Sequence, residues 1–201
     1  MNPLPKIPTL LPGDILLSRS KTWISKAIRY FEKRKTGAAG YSHAALSIVG
    51  LSEKPEVIEA LWSVTRGPLE KYEGQEIVIY RHKQLTPGQR NEIALAAISR
   101  ERKGYGITKI PLFALDSIFR TYRFTKWFGV SNFQVCSELI GWAYHHPFKK
   151  LPAPSLAANP WLEPFARDMA FNKKGGWRST TPDDIDDYCR DNADWQVVFN
   201  S

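Results

Sequence analysis

The chain has 201 residues, which is long enough to bury one hydrophobic core and too short for two full-sized domains. Hydrophobic residues make up 43% and charged residues 24%, an ordinary globular composition that argues against extensive disorder. The net charge of +8 favours anionic partners such as nucleic acid, a membrane surface or a cell-wall polymer. The basic residues form no RNA-recognition, zinc-finger or helix-turn-helix signature, so we expect no specific nucleic-acid binding.

The cysteines and the amino-terminal residues indicate which further classes of protein can be set aside. Cys136 and Cys189 are too few for a disulfide scaffold and lack metal-ligand spacing, so we expect no structural zinc and no cofactor. Residues 1–12 are rich in proline without an apolar stretch of signal-peptide length. We therefore expect a protein made in the cytoplasm without a signal peptide, with residues 1–12 as an arm and 13–201 as a single domain.

The first half of the chain predicts a small sheet. Gly13-Asp14 opens a short buried strand at 15–17, and residues 21–35 have the spacing of an amphipathic surface helix. Apolar and alternating runs then predict three further strands, mostly antiparallel, at 42–49, 56–62 and 76–81. The stretch around Gly67-Pro68 and Gly74 is typical of turns, so we assign no strand there.

The second half predicts helices. Thr86-Pro87 is an N-cap followed by proline at the first helical position, and the helix should continue to about Lys103, where Gly104 would stop it. A helix at 135–144 should end before Pro147. Thr181-Pro182 starts another, in which Asp183 and Asp184 would serve helix initiation at the positive end of the dipole.

Residues 107–130 form an unusually aromatic and basic segment. Its apolar side chains exceed what one face of a short helix buries, so we expect an exposed patch that contacts a protein partner, a membrane or the substrate. Arg120, Arg123 and Lys126 would rim that patch. The alternative is that the segment packs inside, as a lid over the cleft beside Cys136.

Cys136 has the position of a nucleophile. It follows a loop and starts a helix, where free backbone N–H groups and the helix dipole favour the thiolate and can stabilise an oxyanion. The alternative is a buried structural cysteine, a common fate of a lone cysteine.

A thiolate nucleophile needs a nearby base, and His43 is the best of the four histidines. His145 and His146 lie about 13 to 15 Å along or just beyond the helix that Cys136 starts, too far to reach it. His82, at the end of a strand, is a weaker candidate. Alternation puts His43 on the strand face that carries the small residues Ala45 and Ser47, and this face should leave room for the nucleophile helix.

Glu59 is the candidate to orient the His43 ring. It is an acid within an otherwise apolar strand, and the hairpin between the two strands brings Glu59 beside His43. The register could miss direct opposition by about one pair, a gap that a glutamate spans diagonally. The alternative is an outward-facing glutamate on a half-exposed strand.

The order of these motifs resembles the permuted NlpC-type papain-like amidases, the YaeF/YiiX group. The resemblance covers residues 12–198, although Gly104-Tyr105-Gly106 and the bulky 107–130 segment depart from the family's commoner pattern. The motifs that carry it are Gly13-Asp14 with the strand after it, Ser42-His43-Ala44, Val57-Ile58-Glu59-Ala60, Val135-Cys136-Ser137-Glu138 and Thr181-Pro182-Asp183-Asp184.

The resemblance implies an α+β fold with a circularly permuted papain-like core, in which a small antiparallel sheet packs against the nucleophile helix. It also implies a cysteine amidase or peptidase with Cys136, His43 and Glu59 as the catalytic residues, and with Tyr41, Tyr105 and Ser137 binding the substrate. The expected substrate is an amide or isopeptide bond in peptidoglycan stem peptides, or another anionic amide.

The missing signal peptide and a cell-wall substrate are reconciled if the protein is a phage tail or lysis protein, or reaches the wall by another non-classical route. Two other classes stay open. One is a lipid-directed acyltransferase or thioesterase, and the other is an assembly component that retains the papain-like fold as a scaffold.

Overall fold

The computed structural model of the chain describes residues 7–19, 40–48, 55–61, 63–103, 136–148 and 181–201. Six strands in this part form one antiparallel sheet, in the order β4-β3-β2-β1-β5-β6. The strands are β1 (Ile15–Arg19), β2 (His43–Ser47), β3 (Glu56–Ala60), β4 (Val64–Pro68), β5 (Glu76–His82) and β6 (Trp195–Asn200). The helices are α1 (Pro87–Ile98), α2 (Cys136–Phe148), α3 (Pro182–Asp191) and a 3-10 helix at Leu69–Tyr72. The fold class is therefore α+β.

Both faces of the sheet are covered, because the strands place apolar side chains alternately on each side. One face packs against the three α-helices. Its cluster includes Ile15, Leu17, Ala44, Leu46 and Ile58 from the strands and Ile93, Leu139, Ile140 and Ile185 from the helices. The other face packs against the 3-10 helix and the chain before β1, through Leu16, Ala45, Val57, Ile77 and Ile79 with Leu10, Leu69 and Tyr72.

The predicted starts of α1 and α3 are confirmed. The Thr86 hydroxyl accepts a hydrogen bond from the Gln89 backbone N–H, and the Gln89 side chain accepts from the Thr86 backbone N–H. Thr181 and Asp184 form the same reciprocal capping box at α3. Each box satisfies two backbone donors that a helix start leaves free, and proline follows each cap.

Two helix ends differ from the prediction. α1 ends at Ile98, and tight turns follow up to Arg102, which has a φ of 65°. The chain leaves the helix there because Arg102 and Lys103 exchange backbone hydrogen bonds with Val64 at the start of β4. α2 continues through Pro147 to Phe148. Pro147 lies in the last turn, where its missing N–H removes one hydrogen bond and does not break the helix.

Two strands were not predicted. β4 occupies the stretch that the sequence predicts to form turns. It can contain Gly67-Pro68 because it is an edge strand, where the missing N–H of proline costs no hydrogen bond to a neighbouring strand. β6 pairs with β5 at the opposite edge.

The remaining sequence predictions fall partly outside the described residues. The helix at 21–35 and the 107–130 segment lie wholly outside them, and the single domain at 13–201 stays a prediction. Leu10, in the expected arm, is buried against the sheet. Among the described helices, none is both long enough and apolar enough to cross a membrane.

Candidate functional site

Cys136 is the first residue of α2, the helix that lies against β2 and β3. The helix is held there by its apolar face, because Leu139, Ile140, Ala143 and Tyr144 are all fully buried in the helix-side core. This packing fixes the position of the sulfur at the end of the sheet where β2 begins. Cys136 itself is 6% exposed.

The surroundings of Cys136 favour its thiolate. Burial alone would raise the pKa of the thiol, but the positive charge of His43 and a hydrogen bond from its ring act in the opposite direction. Backbone N–H groups of Ala44 and Ser137 also hydrogen-bond the sulfur. The net result is a pKa below the ordinary thiol value, which is the condition for a nucleophilic cysteine near neutral pH.

His43 and Glu59 lie on neighbouring strands and on the same face of the sheet. Ala45 is the direct cross-strand partner of Glu59, so His43, two residues before Ala45 on the same face, meets Glu59 diagonally. His43 Nε2 lies 2.5 Å from Glu59 Oε2. This bond leaves Nδ1 as the ring nitrogen that can face the Cys136 sulfur.

Glu59 is buried and heavily partnered, so the outward-facing alternative is excluded. It is 2% exposed. The Tyr72 hydroxyl donates to Oε2 at 2.6 Å, and the Lys71 ammonium forms a short ion pair with Oε1. Burial, followed by the charge of Cys136, raises the pKa of Tyr72, so this phenol remains a hydrogen-bond donor throughout the physiological range. The carboxylate is therefore fixed from three sides.

The expected reason for the contact between His43 and Cys136 was wrong. The small-residue face of β2 was expected to admit the nucleophile helix, but that face is covered by Leu69 and Tyr72 of the 3-10 helix. α2 packs on the opposite face, against Ala44 and Leu46. Cys136 and His43 meet because both lie at the start of their elements, at one end of the sheet.

Asp183 holds the backbone that leads into β2. Its Oδ1 accepts hydrogen bonds from the N–H of Gly40 at 3.0 Å and of Tyr41 at 2.9 Å. Of the two acids expected to serve helix initiation, only Asp184 makes the capping bonds, and Asp183 instead anchors a segment more than 140 residues earlier in the chain. This contact sets the approach of the chain to His43.

The three residues predicted to bind substrate have different placements. Tyr41 is partly buried against the helix-side core, and burial, then the charge of Asp186, raises the pKa of its phenol. Ser137 has a buried side chain, and its backbone N–H points to the Cys136 sulfur. Tyr105 lies outside the described residues. Ser137 therefore contributes to the site through its backbone.

The other histidines and the second cysteine lie in different surroundings. His82 is buried with its ring in a T-shaped contact with Trp195, and burial lowers its pKa to about 4. His146 stacks on Trp142 near the far end of α2. Cys189 is buried in α3, and burial, then the charge of Asp186, raises the pKa of its thiol well above the ordinary value.

The similarity of this chain to known proteins lies in its fold. No protein-family model matches the chain, and no curated protein matches its sequence. A solved structure, YiiX from Escherichia coli O157:H7, described as a metalloprotein of DUF1105, is similar with a TM-score of 0.59. The chain shares the fold of YiiX. The match covers 95% of this chain and 97% of YiiX at 19% sequence identity, which establishes the fold and leaves the activity to the site itself.

Lys71 and Tyr72 are the site residues that the sequence analysis missed. They follow Gly67-Pro68 and precede Gly74, in a stretch whose composition indicates turns. Their contact with Glu59 depends on a 3-10 helix that crosses the end of the β3–β4 hairpin, and neither strand alternation nor helical spacing signals such a crossing.

Proposed function

We propose that the protein is a cysteine hydrolase that cleaves amide or isopeptide bonds, with Cys136 as nucleophile, His43 as base and Glu59 as the residue that orients the base. The proposal rests on one observation. The thiol of Cys136 has a lowered pKa and is hydrogen-bonded to the His43 ring, and the other nitrogen of that ring contacts the buried carboxylate of Glu59. Nucleophile, base and orienting acid in such contact are the requirements of covalent acyl transfer.

The reaction follows from these contacts. His43 accepts the thiol proton, and the Cys136 thiolate attacks the amide carbonyl carbon to form a tetrahedral intermediate. The C–N bond then breaks, and the imidazolium gives its proton to the leaving amine. Water, deprotonated by His43, hydrolyses the resulting thioester. The backbone N–H of Ser137, at the start of α2, would stabilise the oxyanion.

The proposed architecture is a permuted papain-like core. A YiiX-like fold and a nucleophile at the start of a helix packed on an antiparallel sheet both support it. The chain order supports the permutation, because His43 and Glu59 precede Cys136.

The proposed substrate is a peptidoglycan stem peptide, in a phage- or lysis-associated setting. The net charge of +8 suits an anionic wall polymer, since opposite charge raises the rate of encounter.

The metal in the description of YiiX has no counterpart in the part of this chain that the structure describes. Within the described residues, no group of three or more His, Cys, Asp or Glu side chains is arranged to hold a metal ion.

The test is mass spectrometry of purified sacculi incubated with the wild type, with Cys136→Ala and with Cys189→Ala. We expect soluble stem-peptide fragments from the wild type and from Cys189→Ala, and none from Cys136→Ala. Cys189 is the matched control because it is also a buried helical cysteine, without a histidine partner among its described contacts. Equal release by all three proteins would show that Cys136 is not the nucleophile.

A further inference from the structure

The charges around Glu59 form a closed set in the described part of the chain. The titratable groups that face this site are His43 from β2, Lys71 and Tyr72 from the 3-10 helix, and Cys136 from α2 beyond the imidazole ring. Tyr72 stays neutral. The set therefore contains two anions, Glu59 and the Cys136 thiolate, and two cations, Lys71 and protonated His43.

This balance decides where the positive charge of His43 acts. A buried carboxylate needs a positive partner, because an unpaired charge inside a protein is strongly unfavourable. If His43 were the only cation, Glu59 would compete with the Cys136 sulfur for it, and the pKa of the thiol would be higher. With Lys71 paired to Glu59 Oε1, the imidazolium is available to the thiolate.

The fold makes room for the Lys71 ammonium at a specific place. Gly67 lies on β4, on the same face as Glu59, and the end of the Lys71 side chain passes over it. A Cβ at Gly67 would lie 2.9 Å from Lys71 Nζ and 3.6 Å from Cε, so any larger residue there would displace the ammonium. The Lys71 side chain is 31% exposed, and burial lowers its pKa.

We propose that Lys71 is a positioning residue of the site, whose ammonium neutralises Glu59 and thereby reserves the charge of His43 for the Cys136 thiolate. This inference rests on the proposed function, since it assumes that Cys136 acts as a thiolate. It concerns the state of the free enzyme and does not depend on which amide is the substrate.

The test measures the alkylation of Cys136 by iodoacetamide as a function of pH, by peptide mapping of the full chain. In Lys71→Met we expect the midpoint of the profile to rise, with a fall in rate at pH 6 of roughly three- to tenfold after discounting for solvent screening. The plateau rate at high pH should stay that of the wild type, because only the ionisation changes. Misfolding alone would alter the plateau.

Three further variants complete the test. Lys71→Arg keeps the charge and should restore most of the midpoint. Lys83→Met is the control, since Lys83 donates to the Ala193 carbonyl at the other edge of the sheet and should leave the profile unchanged. Gly67→Ala displaces the ammonium without removing a charge and should raise the midpoint by less than Lys71→Met does. If Lys71→Met does not fold, Gly67→Ala replaces it in the test.

The outcomes separate this inference from the proposed function. A wild-type Cys136 with the profile of an ordinary thiol overturns both. If the wild-type Cys136 is activated but the midpoint is unchanged in Lys71→Met, only the role of Lys71 is overturned. The same holds for Gly67→Ala where that variant replaces Lys71→Met. A shift in Lys71→Arg as large as in Lys71→Met also overturns it, because charge would not be the cause.

Discussion

The two cysteines of this chain share burial in a helix and differ in electrostatic surroundings. Cys136 has the charge of His43 and backbone N–H donors beside its sulfur, and these lower its pKa against the effect of burial. Cys189 has the anionic Asp186 nearby, which adds to the effect of burial and raises its pKa. Near neutral pH, the thiolate population therefore differs strongly between the two residues.

This difference predicts selective labelling. Iodoacetamide at pH 6, followed by peptide mapping, should modify Cys136 at least about tenfold faster than Cys189, because alkylation requires the thiolate. The same reagent applied to the urea-unfolded chain should modify both residues alike. Equal labelling of the folded protein, or a preference for Cys189, would contradict the assignment of Cys136 as an activated nucleophile.

Among the elements, the start of β2 depends on a contact from α3. Asp183 holds the N–H groups of Gly40 and Tyr41, yet burial, then the like charges of Asp186 and Asp187, raise its pKa against those hydrogen bonds. A raised carboxyl pKa means that the folded state binds the proton more tightly than the unfolded state. Ionised Asp183 therefore costs stability, and this cost develops as pH rises from about 3.8 towards the raised value.

Asp183→Asn should make this cost visible. The amide oxygen can still accept from both N–H groups, but the charge is gone, so the melting temperature relative to the wild type should be higher at pH 7 than at pH 4. Asp183→Ala leaves both N–H groups without their acceptor and should destabilise the fold by about 1–3 kcal/mol at both pH values. An Asn variant with the same relative melting temperature at both pH values would show that Asp183 carries no such cost.

The elements that sequence predicts best are those with local signals. The caps at Thr86 and Thr181 and the apolar runs of β1, β2, β3 and β5 identify most of the fold, because each depends on residues close in sequence. β4 and β6 escape prediction for different reasons: β4 pairs with the adjacent β3 although its own residues are typical of turns, whereas β6 pairs with β5, which lies far from it in the sequence. Local composition at Gly67-Pro68 indicates a turn, and tertiary pairing overrides it.

The residues of the candidate site also divide into those with a local sequence signal and those without one. The positions of Cys136 at a helix start and of His43 and Glu59 on paired strands are visible in the sequence. The contribution of Lys71 to the site is not, because it depends on the space over Gly67 and on a charge balance that only the folded chain creates. Asp183 also looks like an ordinary helix-start acid until its long-range partners are known.

At the scale of the whole molecule, Asp14 ties the sheet to the helical layer. It is fully buried, and its carboxylate accepts hydrogen bonds from Arg81 on β5, with Nη2 at 2.5 Å from Oδ2. Arg90 of α1 lies 3.5 Å away on the other oxygen and also donates to the His82 carbonyl at 2.6 Å. One anion thus compensates two cations that belong to different layers.

Asp14→Ala should therefore destabilise the whole fold. Breaking a buried pair leaves uncompensated charge on Arg81 and Arg90, and we expect a loss of roughly 3–5 kcal/mol in the free energy of unfolding, measured by urea denaturation. Glu76→Ala is the matched control, because it breaks an ion pair on the surface. The side chains of Arg19 and Glu76 are 46% and 58% exposed, so the loss should be at most about 1 kcal/mol. The order of the two losses is the decisive result: a larger loss in Glu76→Ala would mean that the two layers are joined by apolar packing alone and that Asp14 is dispensable to their contact.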